Sequence, residues 1–217
     1  MLQTAILDRL TGSLCDALTG RDDGQASLEM LDTANLFVVA LDNERLWYRY
    51  HHLFADLLRQ RLRQIQPEDI PTLHHRASEW CEKNGFGDDA IEHSLHGDDF
   101  KRTAHLIEEH VDALWGRGEH TKLRRWLQVL PEEFVYHKPI LCIYHTWYLS
   151  TIGRLDAAER SLQAAEKALG RNEKCTTATT PQEQDRLSDR EKSGRRGRAA
   201  VMRTASKARW WRHTGLE

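Results

Sequence analysis

The fold of this chain is decided by the stretch LFVVALDNERLWYRYHHLFADLLRQRLRQI, which occupies residues 36–65. Its first part contains two runs rich in β-branched and aromatic residues, LFVVAL (36–41) and LWYRY (46–50), with the polar tetrapeptide DNER between them. Runs of this composition favour strands and the polar spacer favours a turn, so they predict a β-hairpin. From His51 to Ile65 the apolar residues return to helical spacing, which predicts a helix.

We expect this helix to bury one apolar stripe and to turn its arginines towards water. The expected stripe consists of Leu53, Phe54, Leu57, Leu58, Leu62 and Ile65, and the residues expected to face water are Arg59, Arg61 and Arg63. Upstream, helical spacing predicts three short helices, in residues 2–10, 13–18 and 24–35. Three short helices, a hairpin and a closing helix are the outline of a winged-helix module, which we place at residues 1–66.

The middle of the chain, residues 71–170, has the pattern of successive helix pairs. Gly85, Gly118 and Gly153 lie 33 and 35 residues apart. A tryptophan precedes each glycine and a small or apolar residue follows five positions later; these residues are Trp80, Trp115 and Trp147, then Ala90, Leu123 and Ala158. A period near 34 residues is typical of tetratricopeptide-type repeats, so we predict an α-solenoid whose exposed face can bind a ligand.

The remaining segment, residues 171–217, has a different composition. It contains 12 lysines and arginines against 6 acidic residues, whereas the first 170 residues contain 19 against 27. Its only members of the set Leu, Ile, Val and Phe are Leu187, Val201 and Leu216. This is too little apolar surface to offset the entropy of ordering the segment, so we predict a disordered basic tail. The pattern gives no explanation for Trp210 and Trp211.

No motif of a known catalytic site occurs in the sequence. It lacks the phosphate loop G-x-x-x-x-G-K-[ST], the nucleophile elbow G-x-S-x-G and the dinucleotide fingerprint G-x-G-x-x-G. We therefore expect a protein that is not an enzyme. The start has no signal-peptide pattern and no stretch approaches the roughly 20 apolar residues that span a bilayer, so we expect a cytoplasmic protein without a membrane partner.

Two pairs of cysteine and histidine residues have the spacing of metal ligands on a helix. The pairs His93 and His96, and Cys142 and His145, have the i, i+3 spacing that two ligands on a helix can use. Neither pair has further ligands at convincing spacing, which favours histidines on the surface or in the core. The four cysteines are isolated and form no C-x-x-C pair, which favours buried thiols in a reducing compartment.

Nucleic-acid binding has two candidate segments. A winged helix reads DNA with the helix before its hairpin, but residues 22–35 contain four acidic residues and no lysine or arginine. Such a helix is repelled by phosphates, so we do not expect it to read DNA. The basic stretch 194–198, GRRGR, can neutralise phosphates. The alternative function is therefore a nonspecific nucleic-acid-binding protein that acts through its C-terminal tail.

Several motifs resemble one family. The segments LDRLTGSLCDAL (7–18), TANLFVVALDNERLW (33–47) and YRYHHLFADLLR (48–59), together with residues 76–131, resemble MalT-type regulators in this order. These are the large ATP-dependent members of the LuxR family, within the STAND class of signalling NTPases. The resemblance covers about residues 1–170.

The resemblance implies an architecture of four parts: a P-loop NTPase, a winged helix, a helical-repeat sensor and a C-terminal helix-turn-helix. On this basis the chain is expected to begin after the NTPase domain and to end within the repeats, as a truncated or frame-shifted gene product. It would be a non-catalytic regulatory fragment without a cofactor of its own, although the full-length family uses ATP or ADP.

The resemblance also implies partners and one site. The winged helix would contact the NTPase domain, the repeats would bind a small-molecule inducer or a protein, and DNA would be bound only by the missing C-terminal domain. In related STAND proteins a winged-helix histidine contacts the bound nucleotide, and His51 or His52 is the nearest match here.

Overall fold

A computed structural model describes residues 1–176, with side chains as far as residue 168. These residues are mainly helical, with one antiparallel two-stranded sheet, and the predicted fold class is confirmed for them. The chain divides into two compact units, Met1–Leu106 and a second that begins at Ile107. The predicted tail lies outside the described residues from position 177 onwards.

The first unit begins with the elements of the winged-helix module. They are a 3-10 helix (Gln3–Ile6), α1 (Gly12–Thr19), α2 (Gly24–Thr33), β1 (Val38–Ala40), β2 (Tyr48–Tyr50) and α3 (His52–Ile65). The helices that follow in the chain are α4 (Asp69–Lys83), α5 (Gly87–His96), α6 (Phe100–Gly116), α7 (His120–Val129), α8 (Glu132–Val135), α9 (Pro139–Thr151) and α10 (Leu155–Thr176). Helix α6 crosses the boundary between the two units.

The helix predicted over residues 2–10 is wrong, because only Gln3–Ile6 forms a single 3-10 turn. Leu10 is instead extended and pairs with β2: its amide donates to the Tyr48 carbonyl and its carbonyl accepts from the Tyr48 amide, both at 2.8 Å. The pairing adds a short third segment beside the hairpin. A local helical preference is weak and yields to hydrogen bonds of this kind.

The core of the first unit joins the winged-helix module to the first helix pair. It is built from the buried residues Leu7, Leu10, Leu14, Leu18, Leu28, Val38, Tyr48, Tyr50, Ala55, Leu62, Leu73 and Ala77. The last two belong to α4, which the sequence analysis assigned to the repeats. The break at residues 66–71 therefore separates two helices but not two packed cores.

The predicted stripe of α3 is wrong in half of its members. Leu53, Leu57 and Ile65 are exposed, whereas Leu62 is buried and Phe54 and Leu58 are partly buried against the core. The buried face of α3 is narrower than predicted, because the small residue Ala55 lies there in place of further leucines.

Arg59, expected in water, is also placed differently by the structure. Its Nε donates to the Ala5 carbonyl at 3.0 Å, and its guanidinium pairs with Asp8 at 2.7 Å. These bonds connect α3 to Ala5 of the 3-10 helix and to Asp8, which follows that helix. Arg59 therefore lies on the side of α3 that faces the start of the chain.

Helices α1 and α2 approach each other through two glycines. A Cβ on Gly24 would lie 2.4 Å from the Gly12 carbonyl oxygen, and a Cβ on Gly12 would lie 2.7 Å from the Gln25 Cβ. The Gly24 amide donates to the Asp16 carboxylate at 2.8 Å, which satisfies one of the free N–H groups at the start of α2. Only glycine permits this separation of the two helices.

The predicted helix pairs are present as α4–α5, α6–α7 and α9–α10. Gly85, Gly118 and Gly153 lie in the turns between the paired helices, with φ values of 82°, 75° and 75°. This left-handed conformation favours glycine. The residues five positions later, Ala90, Leu123 and Ala158, are all buried, which confirms that they face the packed interior.

In the second unit the core is centred on α7 and α9. Trp126 is completely buried together with Leu123, Leu127 and Leu130. Helix α9 adds the buried side chains Leu141, Cys142, Ile143, His145, Thr146, Tyr148 and Leu149. Helix α10 continues past Gly170, where the sequence analysis ended the repeats, to Thr176. Among the described helices, not one has the length and apolar character that a membrane span requires.

Candidate functional site

The hairpin of the winged-helix module has one buried face and one exposed face. Its register pairs Val38 with Tyr50, Val39 with Arg49 and Ala40 with Tyr48. Successive side chains of a strand point to opposite faces. Val38, Tyr48 and Tyr50 accordingly enter the core, whereas Val39 and Arg49 are exposed. The outer face of the hairpin is thus open in the described structure.

Several apolar residues of the hairpin segment and of α3 are exposed. Side-chain exposure reaches 55% for Phe37, 67% for Leu53 and 60% for Leu57. We define the wing surface as seven exposed apolar residues of the segment 36–46 and of the first two turns of α3, namely Leu36, Phe37, Val39, Leu41, Leu46, Leu53 and Leu57. Single exposed leucines are common, whereas a group of exposed apolar residues on one small module is a candidate interaction surface.

Phe37 joins the two halves of the wing surface. Its ring stacks on Phe54 of α3 with 4.6 Å between the centroids, and its carbonyl accepts the His51 amide at 2.7 Å. Its φ of 60° is in the left-handed region, which is a strained conformation for a bulky residue. Strain of this kind is retained where the surrounding contacts hold it and is concentrated at functional segments.

The two candidate nucleotide-contacting residues, His51 and His52, lie at the start of α3 beside Phe37. Both side chains are exposed, and their rings lie 4.4 Å apart at an angle of 33°. The His51 carbonyl accepts the amides of Phe54 and Ala55 at 2.9 Å, so its backbone begins the helix. Within the described part of the chain, neither imidazole has a hydrogen bond.

The start of α3 is electrostatically suited to an anion. The first turn of the helix contains no acidic residue. The free N–H groups of a helix N-terminus carry a partial positive charge, and two imidazoles beside them can donate hydrogen bonds to phosphate oxygens. The structure therefore brings together the two predicted histidines, a helix N-terminus and an apolar surface.

The helix that would read DNA, α2, has the opposite character. Its exposed residues include Glu29, and Asp32 pairs with Arg45 of the hairpin turn at 3.8 Å. Asp23, which precedes the helix, pairs with Arg21 at 2.5 Å. The arginines near α2 are thus engaged with its acidic residues, and the helix itself has no positive side chain for phosphates.

Comparison with known proteins identifies this module. Residues 1–70 match the family model of the MalT winged helix domain. These residues belong to that domain family. The match ends at the second residue of α4 and includes the whole wing surface and both histidines.

The MalT-type similarity continues beyond the winged helix domain. The chain is 32% identical over 173 residues to the serine/threonine-protein kinase PknK of Mycobacterium tuberculosis, which covers 80% of this chain and 16% of the kinase. It is 30% identical over 169 residues to the HTH-type transcriptional regulator MalT of Yersinia enterocolitica, which covers 78% of this chain and 19% of the regulator. The corresponding MalT of Cronobacter sakazakii is 29% identical over the same length. The chain therefore spans less than a fifth of these relatives and is related to transcriptional regulators of the MalT type.

A histidine cluster lies in the first helix pair after the MalT-type domain. The Nδ1 atoms of His74 and His93 are 3.0 Å apart, and the His96 ring lies 5.5 Å from that of His74. Burial, with a smaller contribution from the two neighbouring imidazoles, lowers the pKa of His74 to about 3. Burial also lowers the pKa of His93. Both shifts favour the neutral form of His74 and of His93 in the folded protein.

The lowered pKa of His74 predicts acid sensitivity. Below pH 6.5 His74 is protonated in the unfolded chain but stays neutral in the folded protein. The free energy of unfolding is therefore highest above pH 6.5 and decreases as the pH falls. Between pH 6.5 and 5.5 we expect His74 to lower the free energy of unfolding by about 1 kcal/mol. Denaturant titrations at both pH values should show that the variant His74→Asn has a smaller pH dependence than the wild type.

A matched control for this experiment is His137→Asn, since His137 is exposed. We expect its pH dependence to equal that of the wild type. If His74→Asn retained the full pH dependence, the neutral state of His74 in the folded protein would be disproved.

The other candidate ligand pair, Cys142 and His145, is part of the core of α9. The Cys142 thiol donates to the Val135 carbonyl at 3.3 Å, and the His145 Nδ1 lies 3.2 Å from the Ser161 hydroxyl. Burial raises the pKa of Cys142 to about 12 and lowers the pKa of His145. Among the residues with described side chains, no group of three or more His, Cys, Asp and Glu side chains is arranged to hold a metal ion.

Leu53 and Leu57 were predicted to lie in the core, but both are exposed. A signal for the correct assignment is the width of the apolar pattern. Phe54, Leu58 and Leu62 repeat every four residues and form one stripe. Leu53 and Leu57 form a second stripe, rotated by about 100° from the first. The two stripes together are wider than the apolar face that one packed side of a helix requires.

Proposed function

We propose that this chain is a non-catalytic regulatory segment of a MalT-type protein. In this proposal the wing surface docks on an NTPase domain, and the helix pairs bind an inducer or a protein whose presence is transmitted to that contact. The single observation that carries the proposal is the wing surface, seven exposed apolar residues on a module whose other face is packed. Burial of such residues is the main source of favourable free energy in association.

The range of the similarity supports a regulatory rather than a catalytic role. About four fifths of this chain is shared with one protein named a kinase and with others named HTH-type transcriptional regulators. A segment common to both classes cannot itself be what distinguishes a kinase from a DNA-binding regulator. It fits a module that controls different outputs through the same contacts.

The histidine pair supports the NTPase domain as the partner of the wing surface. His51 and His52 lie at the rim of this surface, at a helix N-terminus whose first turn contains no acidic residue. If Leu53 and Leu57 pack on an NTPase domain, the two imidazoles are positioned to contact the phosphates of a nucleotide bound there. The contact would then depend on whether ATP or ADP is present.

DNA binding by this module has no electrostatic support. The would-be recognition helix α2 contains Glu29 and Asp32 and no basic residue. Phosphate contacts supply most of the affinity of nonspecific DNA binding, and carboxylates in their place oppose it. We therefore assign promoter recognition to a different part of such proteins.

The docking hypothesis is tested by mixing this chain with the NTPase domain of a MalT-type regulator and measuring association by calorimetry. We expect the double variant Leu53→Asp/Leu57→Asp to weaken association by about tenfold or more, because two charges would be buried in an apolar contact. The double variant His51→Ala/His52→Ala should associate but lose any difference between ATP and ADP.

A suitable control is Met30→Asp, which introduces the same charge at an exposed apolar residue of α2 outside the wing surface. We expect its association to match that of the wild type. Circular dichroism should show that all variants remain folded. Absence of association, or equal association of the leucine variant and the wild type, would refute docking through the wing surface.

A further inference from the structure

Two helices of the second unit run side by side in register. Lys138 at the start of α9 pairs with Glu108 of α6, and one to two turns further on Tyr144 pairs with Asp112. Near the ends of the two helices Trp115 contacts Trp147, with 5.0 Å between the ring centroids in an edge-to-face arrangement. The contacts 108–138, 112–144 and 115–147 show that the helices are parallel, so their C-terminal ends lie together.

Four aromatic rings form a cluster at these ends, which we call the aromatic cluster: Trp115, His120, Tyr144 and Trp147. Trp115 is its centre, with ring-centroid distances of 4.3 Å to His120 and 5.1 Å to Tyr144. Although it contacts three rings, Trp115 remains 36% exposed. The cluster therefore offers an aromatic surface to solvent and is not sealed in the core.

Some polar atoms of this site have no hydrogen-bond partner among the described residues. The Tyr144 hydroxyl donates to Asp112 Oδ1 at 2.9 Å, and the other carboxylate oxygen has no hydrogen bond within the part of the chain that the structure describes. Burial, followed by the Asp112 carboxylate, raises the pKa of Tyr144, so the phenol stays protonated and holds the carboxylate in place. The buried Nδ1 of His120 also lacks a hydrogen-bond partner among the described residues.

Three physical effects at this position favour a positive charge. The faces of indole and phenol rings attract cations, Asp112 carries a full negative charge, and helix C-termini carry a partial negative charge. The last turns of α6 and α9 contain no basic residue. Arg117, in the turn after α6, is paired with Glu119, which neutralises its charge. The site thus combines negative potential with a flat apolar surface.

We propose that Trp115, Trp147 and Asp112 form a binding site for the guanidinium group of an arginine-type ligand. A guanidinium is planar and can stack on the exposed indole of Trp115, while one of its N–H groups donates to the free oxygen of Asp112. This proposal deepens the proposed function, on which it rests, because it names the chemical class of effector that the helix pairs bind.

The experiment uses the full chain with its seven tryptophans labelled with ¹⁵N at the indole, and the probe is N-acetyl-arginine amide. Titration should shift the indole signals of Trp115 and Trp147 in a saturable manner and leave those of Trp47 and Trp80, in the first unit, unchanged. Single Trp→Phe variants assign the signals. The uncharged isostere N-acetyl-citrulline amide should produce no shifts at the same concentrations, and N-acetyl-lysine amide should bind more weakly, because an ammonium does not stack.

Asp112→Asn should weaken the apparent affinity for the arginine probe by about tenfold, because a charge-assisted hydrogen bond becomes a neutral one. The matched control is Glu133→Gln, which makes the same change of charge at an exposed residue of α8 and should bind like the wild type. Equal binding of citrulline and arginine, no effect of Asp112→Asn, or no saturable shift would overturn the proposal and leave the cluster a structural contact between helices. These outcomes are independent of the docking assay, so failure of the arginine site and failure of the wing surface are distinguishable.

Discussion

Replacement of Trp126 by alanine is expected to lower the free energy of unfolding of the second unit by about 3–5 kcal/mol. Trp126 is completely buried among Leu123, Leu127 and Leu130, and it is the largest fully buried side chain in the described structure. Its removal loses the transfer free energy of the indole and leaves a cavity that short helices cannot close by a small movement. The measurement is denaturant unfolding followed by far-UV circular dichroism.

The control for this experiment is Val129→Ala, three residues later on the same helix. Val129 is exposed, so its truncation should change the free energy of unfolding by less than about 0.5 kcal/mol. A Trp126→Ala variant as stable as Val129→Ala would show that α7 does not pack through this face. The packed face of α7 would then have been assigned wrongly.

Replacement of Leu62 by alanine is expected to destabilise the first unit by about 2–5 kcal/mol. Leu62 is 1% exposed and belongs to the core that the hairpin, α3 and α4 share. Since this one core supports both the winged helix domain and the first helix pair, the loss should be seen as one transition that involves both. Denaturant titration followed by circular dichroism and by the fluorescence of Trp47 and Trp80 measures this directly.

The matched variant is Leu57→Ala on the same helix, where the side chain is 60% exposed. Its free energy of unfolding should remain within about 0.5 kcal/mol of the wild type, because no cavity is created. The two leucines are identical in helical propensity, so the difference between them isolates burial. If Leu57→Ala proved as damaging as Leu62→Ala, Leu57 would be a core residue, and the wing surface would lose one of its two helical anchors.

The contrast between these leucines also separates stability from function. Leu62 should affect folding and, through folding, everything else. Leu57 should affect only the association of the wing surface with an NTPase domain. A variant that folds normally but does not associate is the result that distinguishes an interaction surface from a damaged core.

The sequence by itself determined where the hairpin and the turns of the helix pairs lie. The two runs of β-branched and aromatic residues and the polar DNER spacer predicted the hairpin, and the spacing of Gly85, Gly118 and Gly153 predicted the turns of the helix pairs. These features are local: a turn that needs a positive φ favours glycine regardless of what packs around it. Trp126 was also predictable as core, because its leucine neighbours share its helical face. The histidines 51 and 52 were found only through a resemblance, and their proposed contact with a nucleotide is still a prediction.

Only the tertiary structure decided which side of an element is used. Leu10 has a helical neighbourhood but is extended, because its backbone pairs with Tyr48, 38 positions later in the chain. Arg59 was expected to face water but bonds to Ala5 and Asp8, and Leu53 and Leu57, which were expected in the core, are exposed. Contacts between residues so distant in sequence leave no periodic pattern, because each depends on where another element ends in space. The alignment of α6 with α9, which brings Trp115 and Trp147 together, has the same origin: spacing predicted two helices, and only their packing placed the two indoles side by side.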